Sequence, residues 1–171
     1  MQVLSKYMKI YSLTRLQMLP TDVEGAWRFF SDPENLGRIT PPSMNFRTMY
    51  QSGGEEMYAG QIIRYKVTVF PNVTVDWLTE ITHVQRPHYF VDEQRIGPYA
   101  LWHHQHHFRE KQGETEMTDE VNYAIPYGPI GRLANHVLVQ QQLKRIFDYR
   151  ASILREAFAK DLFTKDLNQR P

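Results

Sequence analysis

A run of about thirty residues near the C-terminus limits the possible folds most. From about Ile130 to Lys160 there is no proline, and the only glycine is Gly131, near the start. Leu133, Val137, Leu143, Ile146, Phe147, Leu154 and Phe158 recur there at helical spacing. A helix from Leu133 to Lys160 would be about 42 Å long at ~1.5 Å per residue. No strand in this chain is that long, so the helix must cross a whole sheet. Its apolar stripe weakens at Gln140-Gln141-Gln142. Either that turn is solvated, or a glutamine there faces a polar cavity.

The sheet is legible upstream, where the hydrophobic period is two. Asn45–Tyr50, Gln61–Phe70, Val73–His83, His88–Ile96, Tyr99–Arg109 and Thr115–Ile125 are six strand-like segments. Gly53-Gly54, Pro71-Asn72, Arg86-Pro87, Gly97-Pro98 and Gln112-Gly113 separate them. Such short links imply an antiparallel meander. Residues 8–19 alternate loosely and predict a further, first strand. Thr21 and Glu24 have capping-box spacing ahead of Val23, Ala26, Trp27 and Phe30, which predicts a short helix over 22–31 with Trp27 as its core anchor. Asp32-Pro33 ends it, and 34–39 can form another turn or two.

The chain reads as one domain over residues 1–171, with its core at about 8–160 and a polar, frayed tail at 161–171. The regular pattern begins just after Met8. A formal charge of +1 without a basic stripe speaks against a nucleic-acid partner. The absence of cysteine excludes disulfides and thiolate metal sites. No apolar run approaches the ~20 residues of a membrane span, and the N-terminus lacks a signal core. The expectation is a soluble, cytoplasmic protein with no cofactor.

Chemistry concentrates at Gly97–Phe108, where four of the chain's seven histidines fall within five residues. Strand parity puts Trp102, His104, His106 and Phe108 on one face. Leu101, His103, Gln105, His107 and Arg109 take the other, which faces solvent. On the preceding strand Phe90, Asp92 and Gln94 share a face, and on the following one Met117, Asp119, Val121 and Tyr123 do. Asp92, Gln94, His104, His106 and Asp119 therefore converge on one space, with Tyr65 and Trp77 extending its wall. A buried carboxylate needs a partner, and an adjacent imidazole is a natural one. Such a group can be a satisfied structural network, a holder for a ligand's polar end, or a general base. No metal is expected. His104 and His106 with Glu110 resemble the first cupin motif, but the spacing after Gly97 is one residue too long. Gly131 stands where the second motif needs histidine, and a jelly roll has no use for the long helix.

Elsewhere the signals are weaker. Gly53-Gly54-Glu55-Glu56 reads as a mobile hairpin or a gate. Lys144, Arg145 and Arg150 read as solvated, or in the case of Lys144 as paired with Asp148.

The order of elements resembles the helix-grip fold of the START-like (SRPBCC) superfamily. Leu19-Pro20, Ala26-Trp27, Phe29-Phe30, Pro41-Pro42 and Phe46 resemble the opening of a bacterial subgroup of it. Gly60, Ile63, Tyr65, Trp77, Ile81, Phe90, Asp92, Gln94, Gly97-Pro98-Tyr99, the Trp102–Phe108 alternation and Asp119, Val121 and Tyr123 resemble its middle. Pro126, Gly128, Gly131 and Ile146-Phe147 resemble its close. The resemblance implies an α+β fold in which a curved antiparallel sheet of about seven strands wraps a long C-terminal helix, with two short helices after the first strand. It also implies an internal pocket for lipids, sterols, polyketides or plant hormones. Some relatives are aromatase/cyclases, others carry quinone or lipid, and some are labelled cell-division inhibitors. The expected function is binding of a small, mostly apolar molecule with a polar end. Tyr65, Trp77, Tyr99, Trp102, Phe108 and Tyr123 would form the wall, and Asp92, Gln94, His104, His106 and Asp119 would hold the polar end. The rival is a polyketide cyclase/dehydratase-type enzyme with His104 or His106 as general base. A third possibility is an interaction module.

Overall fold

Strand alternation in the middle of the chain produces one antiparallel sheet, seen in a computed structural model that describes residues 8–54 and 56–159. The strands are β1 (Ile10–Leu19), β2 (Arg47–Gln51), β3 (Gln61–Phe70), β4 (Val73–Gln85), β5 (Tyr89–Ile96), β6 (Leu101–Lys111) and β7 (Glu114–Ala124). Their spatial order is β1-β7-β6-β5-β4-β3-β2. The meander from β2 to β7 pairs each strand with the next, and β1 returns to the far edge beside β7. Two helices, α1 (Val23–Phe30) and α2 (Pro33–Arg38), link β1 to β2. A helical run from Gly128 to Ala159 follows β7. It comprises α3 (Gly128–Ala134), a π-turn (Asn135–Val139) and α4 (Gln140–Ala159). The architecture is the expected helix grip. Glu55 of the expected gate and the expected frayed tail lie outside the described residues.

Local details correct two expectations. The first helix is capped by Asp22, whose Oδ1 accepts from the Gly25 amide at 2.6 Å, not by a Thr21–Glu24 box. Glu24 instead accepts from Arg86 at 3.3 Å. The long helix is not uniform either. It opens one turn earlier than predicted and is widened by the π-turn, a feature common near functional sites. Gly131 lets it sit there. A Cβ at this position would lie 1.9 Å from the Pro126 carbonyl oxygen, so no other residue fits.

The core has two halves. One gathers Trp27, Phe29, Phe90, Phe108, Met117 and Phe158 beneath α1. The other gathers Trp102, Val121, Tyr123, Val139, Leu143 and Phe147 beneath the long helix. Trp77 packs against both. Burying a side chain such as Phe29, 1% exposed, stabilises by about 1.5–3 kcal/mol. Between the halves the sheet carries polar groups, and the space over them is not filled. No described helix is long and apolar enough to cross a membrane.

Candidate functional site

Strand register assembles the polar group. Asp92 on β5 lies directly opposite His104 on β6, and Asp119 on β7 lies directly opposite His106. Each carboxylate also reaches the diagonal histidine. His104 Nε2 is 2.9 Å from Asp119 Oδ1, and its Nδ1 is 3.3 Å from Asp92 Oδ2. His106 Nε2 is 2.9 Å from Asp92 Oδ2, and its Nδ1 is 2.9 Å from Asp119 Oδ1. The imidazole centroids are 3.8 Å apart. His106 stacks on Phe90 at 4.1 Å, and His104 meets Trp102 and Phe147 edge-on. The cluster thus sits where the two core halves join. Asp119, His104 and His106 are buried, and Asp92 is half-buried.

Electrostatics separates the two histidines. Burial and the neighbouring His106 push His104 below its ordinary value, against the pull of Asp92 and Asp119. Burial also opposes a charge on His106, but hydrogen bonds and attraction from Asp119 and Asp92 outweigh it and hold His106 high. Burial alone would raise both carboxylates. Attraction from His104 and the bond with His106 bring Asp92 down, and bonds with both histidines bring Asp119 down further. Two rings 3.8 Å apart do not readily carry two charges, and the surroundings favour a proton on His106 over one on His104.

A cavity of about 420 Å³ lies between the sheet and the long helix. Its wall is mostly apolar, including Phe29, Ile63, Val67, Ile81, Leu143 and Phe147, with Asp92, His104 and His106 at one place on it. Tyr127, Ile130 and Phe70 also line it, yet they are 82%, 75% and 41% exposed. The cavity therefore opens between the β3–β4 turn and α3.

Of the residues singled out in the sequence, Tyr65, Trp77, Asp92, Tyr99, Trp102, His104 and His106 line this cavity. Four others do not. Phe108 is packed among Trp27, Phe30 and Phe90 in the neighbouring core. Asp119 stands behind the two histidines. Tyr123 is sealed behind Tyr11, Tyr99 and Trp102. Gln94 is turned along the backbone, donating to the Tyr99 carbonyl at 2.8 Å and accepting from its amide at 3.2 Å. It shapes the Gly97 turn that delivers Tyr99 to the wall.

The structure corrects one assignment. Arg150, expected to be solvated, is only 8% exposed and lines the cavity. Its guanidinium lies 5.0 Å over the Phe147 ring, and its Nε has no hydrogen-bond partner. Burial lowers its pKa, opposed by attraction to Asp119 and Asp92. Leu143, Phe147, Arg150 and Leu154 share one helical stripe, and that spacing was the available signal. Lys144 does bond Asp148 one turn on. At the glutamine run, Gln140 and Gln141 are solvated, whereas Gln142 lines the cavity and donates to the Val69 carbonyl at 2.5 Å. Each reading of that run is right for part of it.

No protein-family model and no curated protein matches the chain. Solved structures do. A protein from Thermus thermophilus aligns over 88% of this chain and 99% of its own, with a TM-score of 0.68 at 15% identity. Norcoclaurine synthase from Thalictrum flavum, solved as a point mutant with a transition-state analogue, covers 87% and 96%, with a TM-score of 0.61 at 11% identity. The di-domain ARO/CYC protein BexL of the BE-7585A biosynthetic pathway covers 86% of this chain and 49% of its own, with a TM-score of 0.64 at 12% identity. At these identities the likeness establishes the fold, the helix grip expected from the sequence.

Proposed function

We propose that the protein binds a small, largely apolar molecule in the sheet–helix cavity and holds its polar end at Asp92, His104, His106 and Arg150. The observation that carries this is a cavity wall that is mostly apolar, with Asp92, His104, His106 and Arg150 on it. That is the usual make-up of a small-molecule site. Tyr65, Trp77, Tyr99 and Trp102 supply aromatic contact. Gln94, Phe108, Asp119 and Tyr123 support the wall from behind. A lipid, polyketide or aromatic molecule with a hydroxyl, carbonyl or carboxylate fits this arrangement, and the cytoplasm is the proposed compartment.

The test is native mass spectrometry of the chain as expressed, with identification of any small molecule released on denaturation. The expected result is a bound molecule, or stoichiometric binding of the fluorescent probe anilinonaphthalene sulfonate that Arg150→Met weakens. A folded chain with neither a co-purified molecule nor probe binding would overturn the proposal.

The second reading is a cyclase- or dehydratase-type enzyme, favoured by the buried pairing of His104 and His106 with carboxylates beside the cavity. The names of the norcoclaurine synthase and ARO/CYC neighbours agree with it. With His104 neutral and within reach of a bound carbonyl compound, it would abstract a proton alpha to that carbonyl. His104→Ala would then abolish turnover while leaving affinity nearly unchanged. Loss of affinity with turnover never detected would count for binding alone.

A further inference from the structure

The hydrogen-bond inventory of the histidine–aspartate cluster does not close while both carboxylates are ionised, the state their lowered pKa favours. Four ring nitrogens face carboxylate oxygens, at 3.3, 2.9, 2.9 and 2.9 Å. A neutral imidazole has one N–H and one lone pair, and an ionised carboxylate only accepts. Two neutral histidines therefore aim two lone pairs at carboxylate oxygens. A proton on one ring still leaves one such contact. Protonating both places two cations 3.8 Å apart, beside the buried Arg150 guanidinium. His106 Nδ1 and Asp119 Oδ1 are 2.9 Å apart, yet the contact lacks hydrogen-bond geometry.

We propose that Asp92, His104 and His106 bind a divalent transition-metal ion, through Asp92 Oδ2, His104 Nδ1 and His106 Nε2. One ligand atom from each of these three residues lies within 4.8 Å of the other two. For metal–ligand bonds of about 2.0–2.1 Å, ligand atoms stand roughly 3.0 Å apart in an octahedral arrangement and about 3.3–3.4 Å apart in a tetrahedral one. Asp92 Oδ2 is 3.3 Å from His104 Nδ1 and 2.9 Å from His106 Nε2.

With an ion there, the inventory closes. Both rings stay neutral. His104 Nδ1 and His106 Nε2 give their lone pairs to the metal. His104 Nε2–H then donates to Asp119 Oδ1 at 2.9 Å, and His106 Nδ1–H has the same oxygen 2.9 Å away. One carboxylate orienting two ligating imidazoles is the outer-shell partner such sites use. Two histidines and one carboxylate leave coordination positions open, and all three donors lie on the cavity wall. With both aspartates ionised and Arg150 charged, the ion leaves one net positive charge. A hydroxide or an anionic group on the cavity's occupant would balance it. The sequence discounted a metal because the cupin motif it weighed, with Glu110 as third donor, has the wrong spacing after Gly97 and Gly131 in place of its second histidine. Glu110 is exposed at the far end of β6, and Asp92 from the neighbouring strand takes its place. The proposal does not depend on the ligand reading.

The experiment uses the untagged full chain, stripped with a chelator and titrated with Zn²⁺ alone and then with Co²⁺ alone. One Zn²⁺ per chain is expected, and Co²⁺ should develop visible d–d absorption with nitrogen ligation. Asp92→Asn, nearly isosteric, should lose most of the affinity while keeping the wild-type circular dichroism. Asp119→Asn should weaken binding by about 10–100-fold. The outward pair, replaced together as His103→Ala and His107→Ala, should bind as the wild type does. Absence of stoichiometric Zn²⁺ in the folded wild type overturns the proposal. So does wild-type affinity in Asp92→Asn, or loss of binding in the outward double variant.

Discussion

His104 and His106 are 4% and 5% exposed, with both ring nitrogens of each within 3.3 Å of an aspartate carboxylate. His103 and His107 alternate with them on the same strand and are half-buried on the opposite face. There His103 Nδ1 meets Glu93 at 2.8 Å, and His107 lies against the Tyr89 ring at 4.7 Å. The residue type and the strand are shared, and only parity and cross-strand partners differ. Inside, a removed partner leaves a stranded buried group. Outside, water replaces it. Chemistry that needs a fixed proton or a fixed ligand therefore belongs to the inner pair.

Asp119→Ala should separate the two faces most strongly. It strips both inner imidazoles of their shared acceptor, and breaking a buried pair costs about 3–5 kcal/mol. Chemical denaturation reads this directly, and a loss under about 1 kcal/mol, the scale of an exposed pair, would erase the distinction.

Phe108 and Trp102 sharpen the comparison along the inner face itself. Phe108→Ala should cost about 3–5 kcal/mol in stability, because it opens a void in the core beneath α1. Probe binding by the folded fraction should not change. Trp102→Leu should do the reverse, weakening the probe several-fold with a smaller stability loss. If both variants lose probe affinity equally, the cavity extends further along the strand than its lining indicates.

On the outer face, His103→Ala should change stability by only about 0–1 kcal/mol, the usual worth of a half-exposed pair. A larger loss in a thermal melt would mean that Glu93, which also accepts from Arg95 at 2.9 Å, anchors a cooperative network.

The smallest effect is expected where the far end of that strand meets Glu116 of β7. Bonds from Lys111 and Arg109 hold the Glu116 carboxyl below its ordinary value. A carboxylate lowered by folding stabilises above its unfolded pKa, and that contribution is lost as pH falls through the folded value. The stability gap between wild type and Glu116→Gln should therefore be present at neutral pH and shrink below about pH 4. A gap that stays constant with pH would assign it to packing.

Much of the inner face was legible in the sequence. Parity alone put Asp92, His104, His106 and Asp119 on one side of three adjacent strands, because the period of a strand is two and short turns force neighbours to pair. Parity could not say how deep each residue sits along its strand. Phe108 shares a face with His104, yet α1 covers it, and Gln94 shares a face with Asp92, yet it bends back to serve a turn. Arg150 was missed because an arginine on a polar-flanked helix is ordinarily solvated. Its burial depends on the counter-charges of Asp92 and Asp119, which belong to distant strands.

The sequence by itself determined the element order, the antiparallel meander, the long crossing helix and the division of the histidines into two faces. These follow from local periodicity and turn chemistry, which act over a few residues. Only the tertiary structure decided that the helix leaves a cavity over the sheet instead of filling it. It alone brought Arg150 to that cavity, and it alone set each imidazole within 3.3 Å of both carboxylates. Those facts depend on how far the helix stands from the sheet and on strand register, quantities set by packing among residues remote in the chain.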